Sequence, residues 1–332
     1  MICCPYCLEI VNPKFEVKGH RQVYVCSNPD CKRELPRDLK ESPWRVGLVG
    51  FTGHGKTVYL TSLFYTLKVL RREKTWDETF SWLGLDENTH KIMYRHVPLF
   101  EQSKLPASTP ENFPEPALIQ FTNIPLFKNC FLSFYDTAGR VYEDIERITE
   151  MGRFVARSTV VFFIVSLRDC GENWGETMES LIETYINAVY NKLNLDLKRE
   201  QHLIVVLTKA DLLEELPQEL KRFLLEGLYK WYSLEGSNDK TLIRSKLKEL
   251  RRVSLALKRW LESKGCGGFT RLAAQRFRSV EYTIVSSTGA APVGDMLATK
   301  LDPEDPKRVL DPFLWALEKN RKKGLWEKLF GG

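Results

Sequence analysis

The chain has 332 residues, 43% hydrophobic and 28% charged, with 49 Lys+Arg against 43 Asp+Glu for a formal net charge of +6. That length supports about two domains with at least one full core, and that composition excludes disordered, collagen-like and coiled-coil chains. The longest apolar run lies in Val160–Val165, far short of the ~20 residues that span a bilayer, so no transmembrane helix is expected.

The opening Met1-Ile2-Cys3-Cys4-Pro5-Tyr6-Cys7 lacks a basic segment followed by an apolar stretch, so no secretory signal is expected and a cytoplasmic placement is the default. Five of the eight cysteines (Cys3, Cys4, Cys7, Cys26, Cys31) fall in the first tenth of the chain. Cys4-Pro5-Tyr6-Cys7 is a tight Cys-x-x-Cys knuckle and Cys26-Ser27-Asn28-Pro29-Asp30-Cys31 a wider one, with the strand-like Gln22–Val25 between them. Clustered cysteines in such a chain more often hold a metal than a disulfide framework, and four thiolates suit tetrahedral Zn²⁺. Residues 1–40 resemble a zinc ribbon with Cys4, Cys7, Cys26 and Cys31 as ligands. A metal-free or redox cluster is the alternative, but no thioredoxin-like βαβ pattern surrounds it. Cys3 is a spare that could replace Cys4, and His20, beside Gly19, reads as a solvated turn before it reads as a ligand. Ribbons of this kind bind nucleic acid or partner proteins, and the residues do not separate the two. Pro36–Pro43, polar with two prolines, reads as a linker.

Trp44–Val49 is a short apolar run suited to a buried parallel strand, and it leads into Gly50-Phe51-Thr52-Gly53-His54-Gly55-Lys56-Thr57, which fits G-x-x-x-x-G-K-[ST] at every fixed position. Leu60, Leu63, Phe64 and Leu67 then recur at helical spacing. In this strand–loop–helix setting the loop from Gly50 to Val58 turns its N–H groups around phosphate oxygens, with Gly53, His54 and Gly55 forming its wall. Lys56 reaches the terminal phosphates and Thr57 can ligate Mg²⁺. A glycine-rich turn with an exposed lysine would leave the combination of loop, lysine and hydroxyl unexplained.

Four further strand-like runs follow, three of them ending in polar motifs. Cys130–Tyr135 leads into Asp136-Thr137-Ala138-Gly139, where Asp136 can hold Mg²⁺ through water and Gly139 can offer its N–H to a γ-phosphate. Val160–Ser166 is a second run; His202–Leu207 ends in Thr208-Lys209-Ala210-Asp211, and Glu281–Val285 ends in Ser286-Ser287-Thr288. Open α/β sheets bind nucleotides at the carboxyl ends of such strands.

In this order, from about 44 to 318, the motifs resemble those of P-loop GTPases of the translation-factor and Ras-like class. The resemblance implies a mostly parallel α/β sheet with helices on both faces, GTP or GDP with Mg²⁺ as ligands, and a guanine pocket. In that pocket Asp211 accepts from the base N1–H and amino group, the Lys209 stem covers the ring, and the Ser286-Ser287 backbone supports O6. Thr208 stands where the family has Asn, which predicts a weaker brace. Arg140 follows Gly139 where Ras-like members carry the water-orienting glutamine; it could stabilise charge or simply be solvated, so slow hydrolysis is expected. The amino-terminal ribbon, the long insertions and Asp311-Pro312-Phe313-Leu314-Trp315 are also similar to bacterial double-GTPase-like proteins.

About 80 residues separate Lys56 from Asp136 and about 75 separate Asp211 from Ser286, so insertions with their own structure are expected near 72–115 and 217–279. The first should carry the threonine that completes the Mg²⁺ shell. Thr109, on a proline-bounded loop before the strand-like Ala117–Asn123, is the leading candidate, with Thr75, Thr79, Thr89 and Thr122 as the others. The second insertion holds 15 Lys+Arg against 6 Asp+Glu between Pro217 and Val280. Ile243, Leu247, Leu250, Leu257 and Leu261 share one helical face, with basic residues around the remainder. A solvated face over a packed stripe is favoured over contact with nucleic acid or membrane. Trp231 and Trp260 read as helix packing, and 319–332 as a basic tail. The expected function is a GTPase switch acting on a protein effector or second GTPase, with a non-hydrolysing nucleotide-binding scaffold and a P-loop ATPase as alternatives.

Overall fold

Two apolar runs without alternation, Val160–Val165 and His202–Leu207, have no polar face to offer solvent, which is the pattern of strands covered on both sides. The computed structural model describes residues 1–332 except 38, 40, 77–78, 108, 110–113, 126, 226–238, 295, 298–299, 303 and 322–332, and except the side chains of 128, 151, 153 and 239–243. It places both runs side by side in the interior of a seven-stranded sheet.

The chain opens with five short strands: β1 (Ile2–Cys3) pairs with β2 (Ile10–Val11), and β3 (Lys14–Lys18), β4 (Arg21–Val25) and β5 (Glu34–Leu35) form a three-stranded antiparallel sheet. The main sheet comprises β6 (Trp44–Val49), β7 (Ser81–Gly84), β8 (Pro116–Ile124), β9 (Lys128–Asp136), β10 (Val160–Val165), β11 (His202–Leu207) and β12 (Ser279–Ile284). Its order is β12-β11-β10-β6-β9-β8-β7, parallel from β12 to β9 and antiparallel at β8 and β7. Every residue of β10 is buried, so both faces of the sheet are covered at its centre. The fold class is the one expected: a mostly parallel α/β sheet with helical insertions, preceded by a small cysteine-bearing ribbon.

Strand order reverses at β6. The strands that follow it in the chain up to β9 lie on one side, and those from β10 onward lie on the other. Such a reversal opens a crevice at the carboxyl ends of the strands, and the glycine-rich loop leaves β6 at that point. Helix α1 (Lys56–Arg72) leads away from the loop with Tyr59, Leu60, Leu63, Phe64, Leu67 and Leu70 buried, and Phe64 packs edge-on against Trp82 and Phe134. The last described helix, Leu310–Asn320, buries Phe313, Leu314 and Trp315, and Phe313 sits 5.3 Å from Phe121.

Both insertions are structured. The first contains β7, α2 (Glu87–Lys91) capped by the Asp86 carboxylate, a π-helical turn Ile92–His96 and α3 (Val97–Glu101). The second contains the helix Asp239–Ser263, whose Leu247, Leu250, Leu257 and Leu261 are buried while Ser254 Oγ accepts from Tyr282 N–H of β12 at 2.9 Å. Three of its basic residues are ion-paired: Arg252 with Glu219 at 2.7 Å, Lys258 with Glu262 at 3.6 Å, and Arg251 with Glu318. Trp260 is buried against Trp174, as expected of packing; Trp231, the Ile243 side chain and the tail from 322 lie outside the described residues.

The stretch Pro36–Pro43 differs from a plain linker. Leu39 joins the small apolar core of the ribbon with Ile2, Val11 and Leu35, and Ser42 Oγ accepts from Cys3 N–H at 2.8 Å. Phe131 of β9 packs on that same core, while Leu8 of the ribbon joins the core of the main sheet. The ribbon is therefore docked on β9.

Candidate functional site

The loop conformation follows from its glycines. Gly53 and Gly55 have φ of 82° and 85°, the left-handed region that side chains disfavour, and these turns bring the chain around to start α1 at Lys56. Lys56 is buried, and its Nζ donates to the carbonyls of Gly50 (2.6 Å) and Phe51 (3.2 Å). Burial pulls its ammonium down to about 8, against the opposing pull of Asp136 and Glu143.

Three oxygens meet beside it. Thr57 Oγ1 and Thr109 Oγ1 lie 2.6 Å apart, and each is 2.9 Å from Asp136 Oδ2. Two hydroxyl protons cannot fill all three edges of this triangle, and Asp136 Oδ1 is buried without a hydrogen-bond partner. Burial raises the Asp136 carboxyl above its usual range, opposed by Lys56 and the two hydroxyls. An oxygen cluster rich in acceptors and poor in protons fits a hard cation such as Mg²⁺. Thr109 is thus the candidate that reaches the site, whereas Thr89 is buried in α2 donating to Leu118 O and Thr122 lies in β8. A cavity of about 700 Å³ adjoins the triangle, lined by Thr57, Thr109 and Asp136 together with Lys91, Arg95 and His96 of the insertion.

Gly139 is pressed against the loop: a Cβ there would run into the main chain of Phe51 and Thr52. Gly139→Ala is expected to cost about 1–3 kcal/mol by overpacking, read as a lowered melting temperature of the nucleotide-free chain. Arg140 is exposed on the 3₁₀ turn Gly139–Glu143 that follows. The same turn supplies two contacts that the motifs did not announce: Thr52 Oγ1 donates to Glu143 Oε1 (2.8 Å) and Tyr142 Oη donates to Leu48 O (2.8 Å).

On the other side of the loop, Thr208 Oγ1 donates to His54 O at 2.8 Å. That hydroxyl ties the turn after β11 to the loop. His54 itself is buried with Nδ1 unpartnered, and desolvation lowers its imidazole below the usual range. Val58 is half-buried in the first turn of α1. Lys209 has φ 54° and its Nζ pairs with Asp169 Oδ2 at 2.6 Å. Asp169 was not singled out in the sequence, although its place just after β10, at the carboxyl end of a central strand, is a signal for it. Asp211 Oδ2 is buried with no hydrogen-bond partner.

The loop after β12 joins this group. Ala210 N–H donates to Val285 O (3.2 Å), and Ser62 Oγ of α1 donates to Ser287 O (3.1 Å). Ser286 N–H donates to Lys307 O (3.0 Å), and Thr288 Oγ1 donates to Ala290 O (2.8 Å). The main chain of Ser286 and Ser287 is thus tied to Lys307 and to Ser62 of α1.

In the ribbon, the Sγ atoms of Cys4, Cys7, Cys26 and Cys31 all lie within 4.8 Å of one another, with Cys4–Cys31 at 3.9 Å and Cys7–Cys26 at 3.7 Å. Thiolates held at ~2.3 Å from a tetrahedral Zn²⁺ stand about 3.8 Å apart, so the residues fit that ion. Cys3 is outside the group, its Sγ donating to Leu8 O, and His20 is exposed. Burial pushes the Cys4 thiol well above its usual range and the Cys26 thiol up to about 11, so loading with zinc must release protons. Chelation is expected to remove hydrogen-exchange protection before Pro43 and at ribbon-facing Phe131, and to leave β10 and β11 protected. Among the described residues, no helix is long and apolar enough to cross a membrane.

No protein-family model matches the chain, and no curated protein matches it in sequence. Among solved structures it is similar to bacterial selenocysteine-specific elongation factor EF-Sec, at 14% identity and a TM-score of 0.33 over 84% of this chain and 29% of that one. It is similar to a GTP-binding protein from the hyperthermophilic archaeon Sulfolobus solfataricus solved with GDP, at 13% identity and a TM-score of 0.34 over 84% and 53%. A third is the signal recognition particle receptor SRb-GTP/SRX complex from Chaetomium thermophilum, at 13% identity and a TM-score of 0.33 over 76% and 94%. The chain thus spans under a third of the first and about half of the second. At identities and TM-scores this low, such likenesses carry no weight beside the chain's own strand order and side chains.

Proposed function

We propose that the chain is a Mg²⁺-dependent guanine-nucleotide switch that hydrolyses GTP to GDP slowly and passes its nucleotide state to a protein partner. The observation that carries this reading is a pair of unsatisfied buried carboxylate oxygens at the carboxyl ends of two strands of the parallel sheet, Asp136 Oδ1 at the end of β9 and Asp211 Oδ2 in the turn after β11. A buried acceptor left unpaired is costly, and a ligand that satisfies it recovers that cost. Asp211 would accept from the N1–H and amino group of guanine, donors that adenine does not present in that place, which opposes the ATPase reading. The Lys209 stem, held by Asp169, would lie along the ring. The N–H groups of Gly53 to Val58, at the start of a 17-residue helix, would meet the phosphates.

Thr57, Thr109 and Asp136 would hold Mg²⁺, which when bound neutralises phosphate charge. Lys56 would exchange the Gly50 and Phe51 carbonyls for phosphate oxygens. Because a polyanion favours the ammonium, GTP binding at pH 8.5 should take up a proton, and affinity should fall as pH rises through about 8, where free Lys56 loses its charge. Calorimetry in buffers of different ionisation heat reads that uptake directly.

Arg140 cannot accept a hydrogen bond from an attacking water, so intrinsic turnover should be slow, on the order of 10⁻⁴–10⁻² s⁻¹. Single-turnover hydrolysis of bound GTP tests this. Tight binding with no turnover would leave a nucleotide-binding scaffold in place of a GTPase.

A further inference from the structure

We infer that the four-cysteine ribbon is a positioning element of the nucleotide site, so that its metal occupancy and the triphosphate-bound arrangement are thermodynamically linked; this rests on the switch reading above. Two contacts carry the inference, one beside Asp136 and one just before β8. Tyr135 Oη donates to Pro5 O at 2.8 Å in a buried bond, and Tyr135 immediately precedes Asp136 on β9. Pro5 lies inside the first knuckle, between Cys4 and Cys7. The second contact runs through Arg33, two residues beyond Cys31. Its guanidinium lies 4.2 Å over the ring of Tyr6, also inside the first knuckle, and donates to Glu115 Oε1 at 2.8 Å. Glu115 lies on the segment that connects Thr109 to β8, and its carbonyl accepts from Asn88 Nδ2 at 2.9 Å.

Pro5, Tyr6 and Arg33 hold these places only while the two knuckles are gathered. The ribbon's own core is small, with Ile2, Val11, Leu35 and Leu39 packed around Cys4 and Cys26, two of the four candidate ligands. A core of that size does not hold a fold by itself, so metal is what fixes the knuckles. With them fixed, the ribbon restrains the Asp136 end of β9 and Glu115 just before β8, in the arrangement where Thr109 Oγ1 meets Asp136 Oδ2. Zinc should therefore favour the triphosphate form over the diphosphate form, and linkage requires the triphosphate to retain zinc by the same factor. One exposed ion pair and one buried hydrogen bond are modest restraints, so the factor is about three- to tenfold.

The test uses the full zinc-loaded chain and a chromogenic chelator that reports zinc transfer. With Mg²⁺ and a non-hydrolysable GTP analogue, transfer should be about three- to tenfold slower than with Mg²⁺ and GDP. Arg33→Ala combined with Tyr135→Phe should make the two rates equal while four-cysteine zinc stoichiometry is kept, and Arg33→Lys should restore part of the difference. A purely structural ribbon would change both rates together and keep their ratio. Equal rates in the unsubstituted chain, with both nucleotides bound by a fluorescent-analogue titration, would overturn the coupling and leave the switch intact. Failure of either nucleotide to bind in that titration would overturn the switch, and the coupling with it.

Discussion

Lys56→Ala is expected to lower affinity for Mg²⁺–GTP by about 100-fold, and to do so without unfolding the chain. The ammonium is the one buried cation at the turn from β6 into α1, and it gives charged hydrogen bonds worth about 1.5–3 kcal/mol each to whatever oxygens face it. In the nucleotide-free chain those oxygens are the carbonyls of Gly50 and Phe51, which the buried ammonium meets at the expense of its own hydration, as its lowered pKa shows. Alanine removes the desolvation cost along with the bonds, so the melting temperature should change little while the phosphate contacts are lost. Titration with a fluorescent GTP analogue checks the first statement and a thermal melt the second. An unchanged affinity would remove Lys56 from the phosphate site.

Asp211→Asn should exchange base preference, weakening GTP by about 10²–10³-fold and strengthening XTP. The unpartnered Asp211 Oδ2 is an acceptor waiting for a donor. An amide there presents N–H where guanine also presents N–H, and the two donors repel. Xanthine carries a carbonyl at that edge in place of the amino group and restores the pairing. Sites that hydrogen-bond a ligand group reject analogues lacking it far more strongly than apolar pockets discriminate size. Competition between GTP and XTP on the substituted chain reads this exchange, and retained guanine preference would move base reading to another residue.

Much of the fold was legible because the signals were local. Val160–Val165 and His202–Leu207 read as buried parallel strands from their unbroken apolar character, and the glycine-rich loop declared its own strand and helix. What periodicity cannot report is pairing. The antiparallel β7 and β8 at one edge, and the π-helical turn inside the first insertion, depend on contacts such as Phe64–Trp82 between residues distant in the chain.

The site divides in the same way. Lys56, Thr57, Asp136 and Asp211 stood out because each sits at a fixed place in a short motif that directly follows a strand. Thr109 had only its loop and the strand after it to recommend it, and it became specific when its hydroxyl met Asp136 and Thr57. An Asn-based pattern says nothing of where the shorter Thr208 side chain points; here it points at His54 O. Glu143 belongs to no motif and acts through Thr52, so only tertiary structure assigns it, while Asp169, which acts through Lys209, had only its place just after β10 as a signal. Docking of the ribbon on β9 was likewise invisible, since Phe131 and Tyr135 read as ordinary strand residues.

The decisive measurement is calorimetric titration of the purified chain with GTP and with ATP, each in Mg²⁺ and in EDTA. Saturable heat with GTP that weakens sharply in EDTA, with ATP at least about 100-fold weaker, is the expected result. No magnesium-dependent heat with GTP, or equal binding of ATP and GTP, would contradict a guanine site built on Asp211 and a cation site built on Thr57, Thr109 and Asp136.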